Sequence, residues 1–300
     1  MSEGKADNIN IRNKKSIYYS LSRREILELM LRDRYALEDA PDELKNDKEV
    51  VMQAVSQYGE ILKYASKELR KDKEVVMQAV SQYGLALRYA SKELQGDKEV
   101  VLQTVSQNAR ALKYASNKLK NDKEVVMQAV SKNGYALEYA SNELKNNKEV
   151  VMQVIPQNGH GLMYASEELK NDKEMMMQVI SRNGHCLGYI SKELKNDKEV
   201  VLNAVSQNGN ALEYASDELQ EDREVVMGAV SQDGYSLLCA SDKLKNDKEV
   251  VMQAVSQYGD ALRFASKELQ EDIEVQMKSK QFYTLPRELP RVGNVNFRFK

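Results

Sequence analysis

The chain of 300 residues has no tryptophan, and only four prolines, two histidines and two cysteines. Scarce proline removes the commonest helix breaker, so long stretches are free to be helical. Cys186 and Cys239 fall at different places in the sequence pattern and form no disulfide framework. That excludes the small disulfide-stapled secreted scaffolds and points to a reducing compartment. No run of 18 apolar residues occurs and the mean hydropathy is −0.62, so no membrane span is expected. The stretch "MSEGKADNINIRNKKS" lacks the apolar core of a signal peptide. No P-loop, G-x-G-x-x-G, H-E-x-x-H, G-x-S-x-G or C-x-x-C motif is present. No catalytic residue, cofactor or metal is therefore expected, and the chain does not read as an enzyme.

Charge is unevenly spread. The net value is −2, but residues 278–300 carry six basic side chains against Glu288, and residues 1–21 are also basic. The body between them is acidic. An acidic body repels phosphate backbones, which weighs against generic nucleic-acid binding.

What is present is repetition. "DKEVVMQAVSQYG" stands at residues 47–59 and returns unchanged at 72–84 and 247–259. Copies of 25 residues begin at Asp47, Asp72, Asp97, Asp122, Asn147, Asp172, Asp197, Asp222 and Asp247, with no insertion or deletion. A divergent copy covers 22–46 and a truncated one, "DIEVQM", starts at Asp272. The organisation expected is a flexible segment 1–21, a capping repeat 22–46, nine tandem repeats over 47–271, and a truncated repeat with a basic tail over 272–300.

In the copy from Asp47, the aspartate is placed to cap a helix whose Val50, Val51, Ala54, Val55 and Tyr58 recur at helical spacing. Met52 widens the apolar arc, so this helix must be covered on more than one side. Gly59 is expected to end it in the left-handed conformation. On that reading Ala109, which stands where the other repeats have glycine, is strained, and Ala109→Gly stabilises. A second short helix follows with Ile61, Leu62, Tyr64 and Ala65 inward, then a separate 3₁₀-like turn capped by Ser66 and plugged by Leu69. No repeat can hide its apolar arc alone. Stacking on neighbours solves this, and the expected fold is all-α: an α-solenoid, a superhelical array of helix–turn–helix repeats with a short third turn in each. Helices packed about 8–10 Å apart would make it on the order of 80 Å long. Ser22 and Glu25 stand in capping-box spacing. The far end is expected to stop at Met277, before Pro286 and Pro290, and Pro156 to kink the helix of its repeat.

The run D-K-E-V-V-M-x-A-V-S-x-x-G-x-A-L-x-Y-A-S-x-E-L-K, legible at 122–146, resembles the helical repeats catalogued as domain of unknown function 4116. The resemblance implies a helical array. It also implies a role at a pathogen–host interface, because such arrays occur in amoeba-infecting bacteria as well as in protists and algae. The location implied is cytoplasmic, or a host cell reached without a conventional signal peptide. No catalytic residue is implied.

The copies differ most on one edge of the second helix. There stand Glu60, Leu85, Arg110, Tyr135, His160, His185, Asn210, Tyr235 and Asp260, and three residues on, Arg88, Lys113, Glu138, Met163, Leu238 and Arg263. These are the candidate partner-binding strip, against the plainer reading of drift on a solvated face. Tyr135, Met163, Tyr235 and Leu238 favour binding, since exposed aromatic and apolar groups anchor interfaces. His160 and His185, without further ligands, make a poor metal site. The tyrosine ladder Tyr64 to Tyr214 reads as core packing with the hydroxyl reaching water or a backbone carbonyl, and the asparagines before the glycine as caps of the first helix. The tail "VNFRFK" could add to a sheet edge or be disordered. The reading reached is a non-catalytic monomeric scaffold that binds a protein partner. The alternative is a modular single-stranded RNA-binding repeat protein, with the tyrosines stacking bases.

Overall fold

A computed structural model describes residues 18–33, 35–157 and 159–284. Most of the expected flexible head, and nearly all of the basic tail with its "VNFRFK" run, lie outside the described residues. The chain divides into two compact lobes, one ending at Lys170 and one beginning at Asn171.

Within each lobe one module recurs. In the first, Asp47 Oδ1 accepts the backbone N–H groups of Glu49 and Val50 at 3.0 and 3.1 Å and so starts the helix Lys48–Gln57. Val50, Val51 and Val55 are fully buried. Met52 is only half-buried, so the apolar arc is narrower than its composition suggests. Helix Lys48–Gln57 packs on Lys73–Gln82, which packs on Lys98–Gln107 and, through it, on Lys123–Lys132. In the second lobe the series is Lys173–Arg182, Lys198–Gln207, Arg223–Gln232, Lys248–Gln257 and Ile273–Thr284. Each helix meets only its neighbours in sequence. The core is a row of Val51, Val76, Val101 and Val126 beside a row of Leu62, Leu87, Leu112 and Leu137, all without solvent exposure.

The second segment is not an α-helix. Gly59–Tyr64 is a 3₁₀ helix, and six-residue 3₁₀ helices recur in nearly every repeat. At three residues per turn the segment has three flat sides. Gly59 with Leu62 faces the core, the side of Ile61 and Tyr64 is buried at Ile61 and half-covered at Tyr64, and Glu60 with Lys63 lies on the outward side. The closing turn is 3₁₀ at Leu69–Lys71 and Leu94–Gly96 and a single α-turn at Asn117–Lys120 and Asn142–Lys145. Ser66 Oγ accepts the N–H of Leu69 at 3.1 Å, and Leu69 is buried.

The glycine does not act as a left-handed cap. Helix Lys48–Gln57 ends through an extended Tyr58 at φ −135°, and Gly159 is the one glycine at positive φ among the described residues. The glycines are needed for space. A Cβ on Gly209 would lie 2.5 Å from the backbone oxygen of Ala229, and one on Gly184 2.6 Å from that of Ala204, each in the next repeat. Gly59 meets Ala79 and Gly234 meets Ala254 in the same way. Ala109 opens its 3₁₀ helix, so the strain argument for Ala109→Gly does not hold.

Pro156 breaks its repeat as its lost N–H requires. The first helix stops at Met152, a 3₁₀ turn spans Ile155–Gln157, and Gly159 takes φ 77°. At the start of the array Ser22 and Glu25 form a reciprocal capping box, and Tyr18 is buried with its hydroxyl donating to the Ala36 carbonyl. At the other end the helix runs past Met277 to Thr284, the last described residue.

Two substitutions test this packing. Leu137→Ala should cost about 2–5 kcal/mol in chemical denaturation, since its neighbours cannot collapse into the space. Gly209→Ala should cost about 1–3 kcal/mol, because the intruding methyl meets backbone. An unchanged melting curve for Gly209→Ala would refute the close-approach account.

Candidate functional site

Three polar ladders tie each repeat to the next and so decide which side chains remain available. The first is backbone. The N–H of Ser66 donates to the Lys45 carbonyl at 2.8 Å, Ser91 to Arg70 at 2.9 Å, and Ser116 to Gln95 at 2.8 Å. In the second lobe Ser216 donates to Lys195 and Ser266 to Lys245. The serine hydroxyl adds a bond to an asparagine of the preceding repeat, as Ser66 to Asn46 at 2.6 Å and Ser191 to Asn171 at 2.7 Å.

The second ladder is ionic. Lys73 Nζ sits 2.8 Å from Asp97 Oδ2 and 2.7 Å from Glu99 Oε2 of the following repeat. Lys48, Lys98, Lys173, Lys198 and Lys248 repeat the clamp, and Arg23 and Arg223 make it with guanidinium groups. Asn147 stands in for the aspartate in one repeat, keeps the cap to Val150 N–H at 3.2 Å, and leaves Lys123 paired with Glu149. At Asp197 the hydrogen bond from Lys173, aided by the Val200 N–H and opposed by partial burial, holds the carboxyl below the usual aspartate range.

The third ladder closes the 3₁₀ helices. Gln95 Nε2 donates to the Leu87 and Ala90 carbonyls at 3.2 Å, Gln220 does the same to Leu212 and Ala215, and Lys195 Nζ reaches the Gly188 carbonyl at 2.8 Å. The asparagine ladder caps the segment that follows it rather than the helix before it. Asn108 Oδ1 accepts from Arg110 N–H at 3.0 Å, and Asn133 from Tyr135 N–H at 2.9 Å.

Outside these ladders lies the free edge of the 3₁₀ helices, which carries the strip. Arg88, Arg110, Lys113, Glu138, His185, Asn210, Asp260 and Arg263 are exposed there, with Met163 at 46% and Leu238 at 56%. Glu60, Leu85, Tyr135, His160 and Tyr235 are half-buried. Several strip residues touch across successive repeats. The Tyr135 ring stacks on His160 with centroids 6.0 Å apart, and Tyr164 meets Tyr135 edge-on. Tyr235 stacks on Tyr258 at 4.9 Å with Arg263 over its face. Among the described residues no group of three or more His, Cys, Asp and Glu side chains could hold a metal ion.

The tyrosine ladder corrects a core assignment. Tyr64, Tyr89, Tyr114, Tyr139, Tyr164 and Tyr189 are half-buried and Tyr214 is exposed, because the 3₁₀ geometry sets this position at a corner of the segment. A neighbouring cation covers some rings, with Lys63 Nζ 4.3 Å above Tyr64 and the Arg88 guanidinium 4.6 Å above Tyr89. Both cysteines are free thiols, and burial pushes that of Cys186 up to about 12.

Two features escaped sequence reading. One is the clamping lysine after each aspartate, whose signal was its own regularity. The other is charge segregation along the array. Residues 47–121 carry 13 Lys and Arg against 9 Asp and Glu, whereas 197–271 carry 7 against 15.

Modules of α-helix, 3₁₀ helix and turn, stacked in register and presenting like residues in rows, define an all-α tandem-repeat array with no strand among the described residues. The chain belongs to the family described as Domain of unknown function (DUF4116), which matches residues 23–70, 50–95, 97–145, 147–195, 172–220 and 222–270. Each match spans about two of the 25-residue repeats. No curated protein and no solved structure matches the chain. No helix among the described residues is long and apolar enough to cross a membrane.

The ionic ladder makes a prediction for pH. Because the Asp197 pKa is lowered in the folded state, its contribution is fully present above the unfolded aspartate value of about 3.9 and is lost as pH falls through the folded value. Asp197→Asn keeps the helix cap, as Asn147 does, and should flatten acid unfolding followed by circular dichroism. An acid midpoint identical to wild type would show that the clamp carries no stability.

Proposed function

We propose that the protein is a non-catalytic repeat scaffold that binds a protein partner along the free edge of its 3₁₀ helices. The observation that carries this reading is the contrast between edges. Side chains in the polar ladders and in the Val and Leu rows recur from repeat to repeat, whereas the outward edge changes identity at every step but one, His160 to His185. Exposed Met163 and Leu238 and the stacked Tyr235–Tyr258 pair supply the apolar and aromatic surface from which interface anchors are drawn. A catalytic centre needs unlike groups converging on one point, and rows of like residues do not offer one. The tandem family resemblance supports a host-facing effector role for such a scaffold.

The RNA-binding alternative requires open tyrosine faces for stacking. Cations of the same repeats lie over Tyr64 and Tyr89, and residues 197–271 carry 15 Asp and Glu against 7 Lys and Arg, both of which favour protein over RNA.

Affinity capture from host lysate with the full chain, followed by quantitative mass spectrometry, tests the reading. A set of proteins retained by wild type should be lost when Arg88, Arg110 and Lys113 are reversed to glutamate, or when Met163 and Leu238 become serine. Capture indifferent to both variants would sink the strip. Salt-sensitive retention of single-stranded RNA in place of protein would favour the alternative.

A further inference from the structure

The inter-repeat notch beside the strip is not the same along the array. In the first lobe a cleft of about 710 Å³ opens between the repeats that begin at Asp72 and Asp97, lined by Arg88, Lys92, Gln95, Lys113, Ser116 and Lys120 among others. Four of these are cations, and no carboxylate lines the cleft. The clamp lysines Lys73 and Lys98, in the same two repeats, are answered by carboxylates at 2.7–2.8 Å. In the cleft none of the four makes an ion pair with a described residue. Lys92 Nζ donates to Gln95 Oε1 at 3.0 Å, and Arg88 lies over Tyr89.

The wall is firmly built. Gln95 is buried, and its amide holds the Leu87 and Ala90 carbonyls while its own carbonyl receives the Ser116 N–H. Burial, and then the positive charges of Lys92 and Lys113, hold the Lys120 ammonium below the ordinary lysine range. Like charges thus gather around the half-buried Lys120 with no carboxylate in the lining, a repulsion that a bound anion relieves. One repeat earlier a second cleft is lined by Lys67, Arg70, Lys71 and Lys92 together with Glu93. In the second lobe the same register places carry Glu213 and Asp217 where Lys113 and Asn117 stand, so the basic character is not a property of the repeat itself.

We propose that this cleft binds a small molecule carrying several phosphate groups. Four cations without counter-charge match a ligand with several negative centres, and the volume exceeds what one inorganic phosphate fills. Ser116 and Asn117 at the wall offer a hydroxyl and an amide to ligand hydroxyls. The ligand is either a free polyphosphorylated metabolite or the headgroup of a phosphoinositide, which share this chemistry. The cleft shares Arg88 and Lys113 with the protein-binding strip, so its test falls on Lys92 and Lys120, which the strip does not include.

The double variant Lys92→Asp with Lys120→Gln tests this. Both replacements occur at the same register places elsewhere in the chain, at Asp217 and Asp242 and at Gln95 and Gln220, so folding is retained and is checked by circular dichroism. Lys267→Asp, the counterpart of Lys92→Asp at the same register place in the second lobe, is the control. Calorimetry with inositol hexakisphosphate and the full chain, and co-sedimentation with phosphatidylcholine vesicles containing phosphatidylinositol bisphosphate, separate the two sources. Binding to either probe that weakens about tenfold or more in the double variant, the size of a lost charge-assisted contact, and survives in the control supports the site. Binding to neither probe overturns it, as does an equal loss in the control or no loss in the double variant. Tighter, equally dependent binding of a single-stranded oligoribonucleotide would reassign the cleft to nucleic acid and also overturn it.

Discussion

The stacking rests on the close approach of each 3₁₀ segment to the first helix of the next repeat, in four repeats with a bare glycine Cα against a backbone carbonyl and in one with the Ala109 methyl accommodated. Where Gly59, Gly184, Gly209 and Gly234 stand, a methyl group would occupy the place of an oxygen belonging to Ala79, Ala204, Ala229 and Ala254. That approach sets how deeply the 3₁₀ segment of one repeat seats on the first helix of the following one. Depth of seating decides whether the valine and leucine rows are dry, and they are. In nearest-neighbour arrays such interface contacts carry most of the stability, because each module alone has too little core.

The polar ladders do a different job. A surface ion pair contributes little on its own, and the clamp lysines are nearly half exposed. Their value lies in position. Each lysine fits between the cap aspartate and the glutamate two residues on, and each serine N–H fits one carbonyl of the preceding closing turn. A slip of one residue would lose both at every interface together. Apolar rows alone, being chemically uniform, would tolerate such slips far better.

Much of this was legible in the residues because it is local. The period, the aspartate caps, the capping box at Ser22, the plug at Leu69 and the break at Pro156 each depend on a few consecutive positions. The misreadings share the opposite property. Gly59 looks like a helix terminator until the Ala79 carbonyl, one repeat on, is seen beside it. The tyrosines look like core until the second segment proves to be 3₁₀, which turns them to a corner. The terminal helix outlasts the copy pattern at Met277 and runs to Thr284, so the end of the repeat pattern does not mark the end of the helix. The basic cleft needs Arg88 and Lys92 from one repeat and Lys113 and Lys120 from the next, and no linear motif records that union.

The repetition of both interfaces has a consequence for how such a chain changes over generations. Every module offers the same donor face and the same acceptor face, and three stretches of 13 residues are identical. Unequal recombination between such stretches deletes or inserts whole modules, and the newly joined surfaces already fit. Length can therefore drift freely while the outward edge diversifies, leaving the chain able to acquire or shed recognition positions one module at a time.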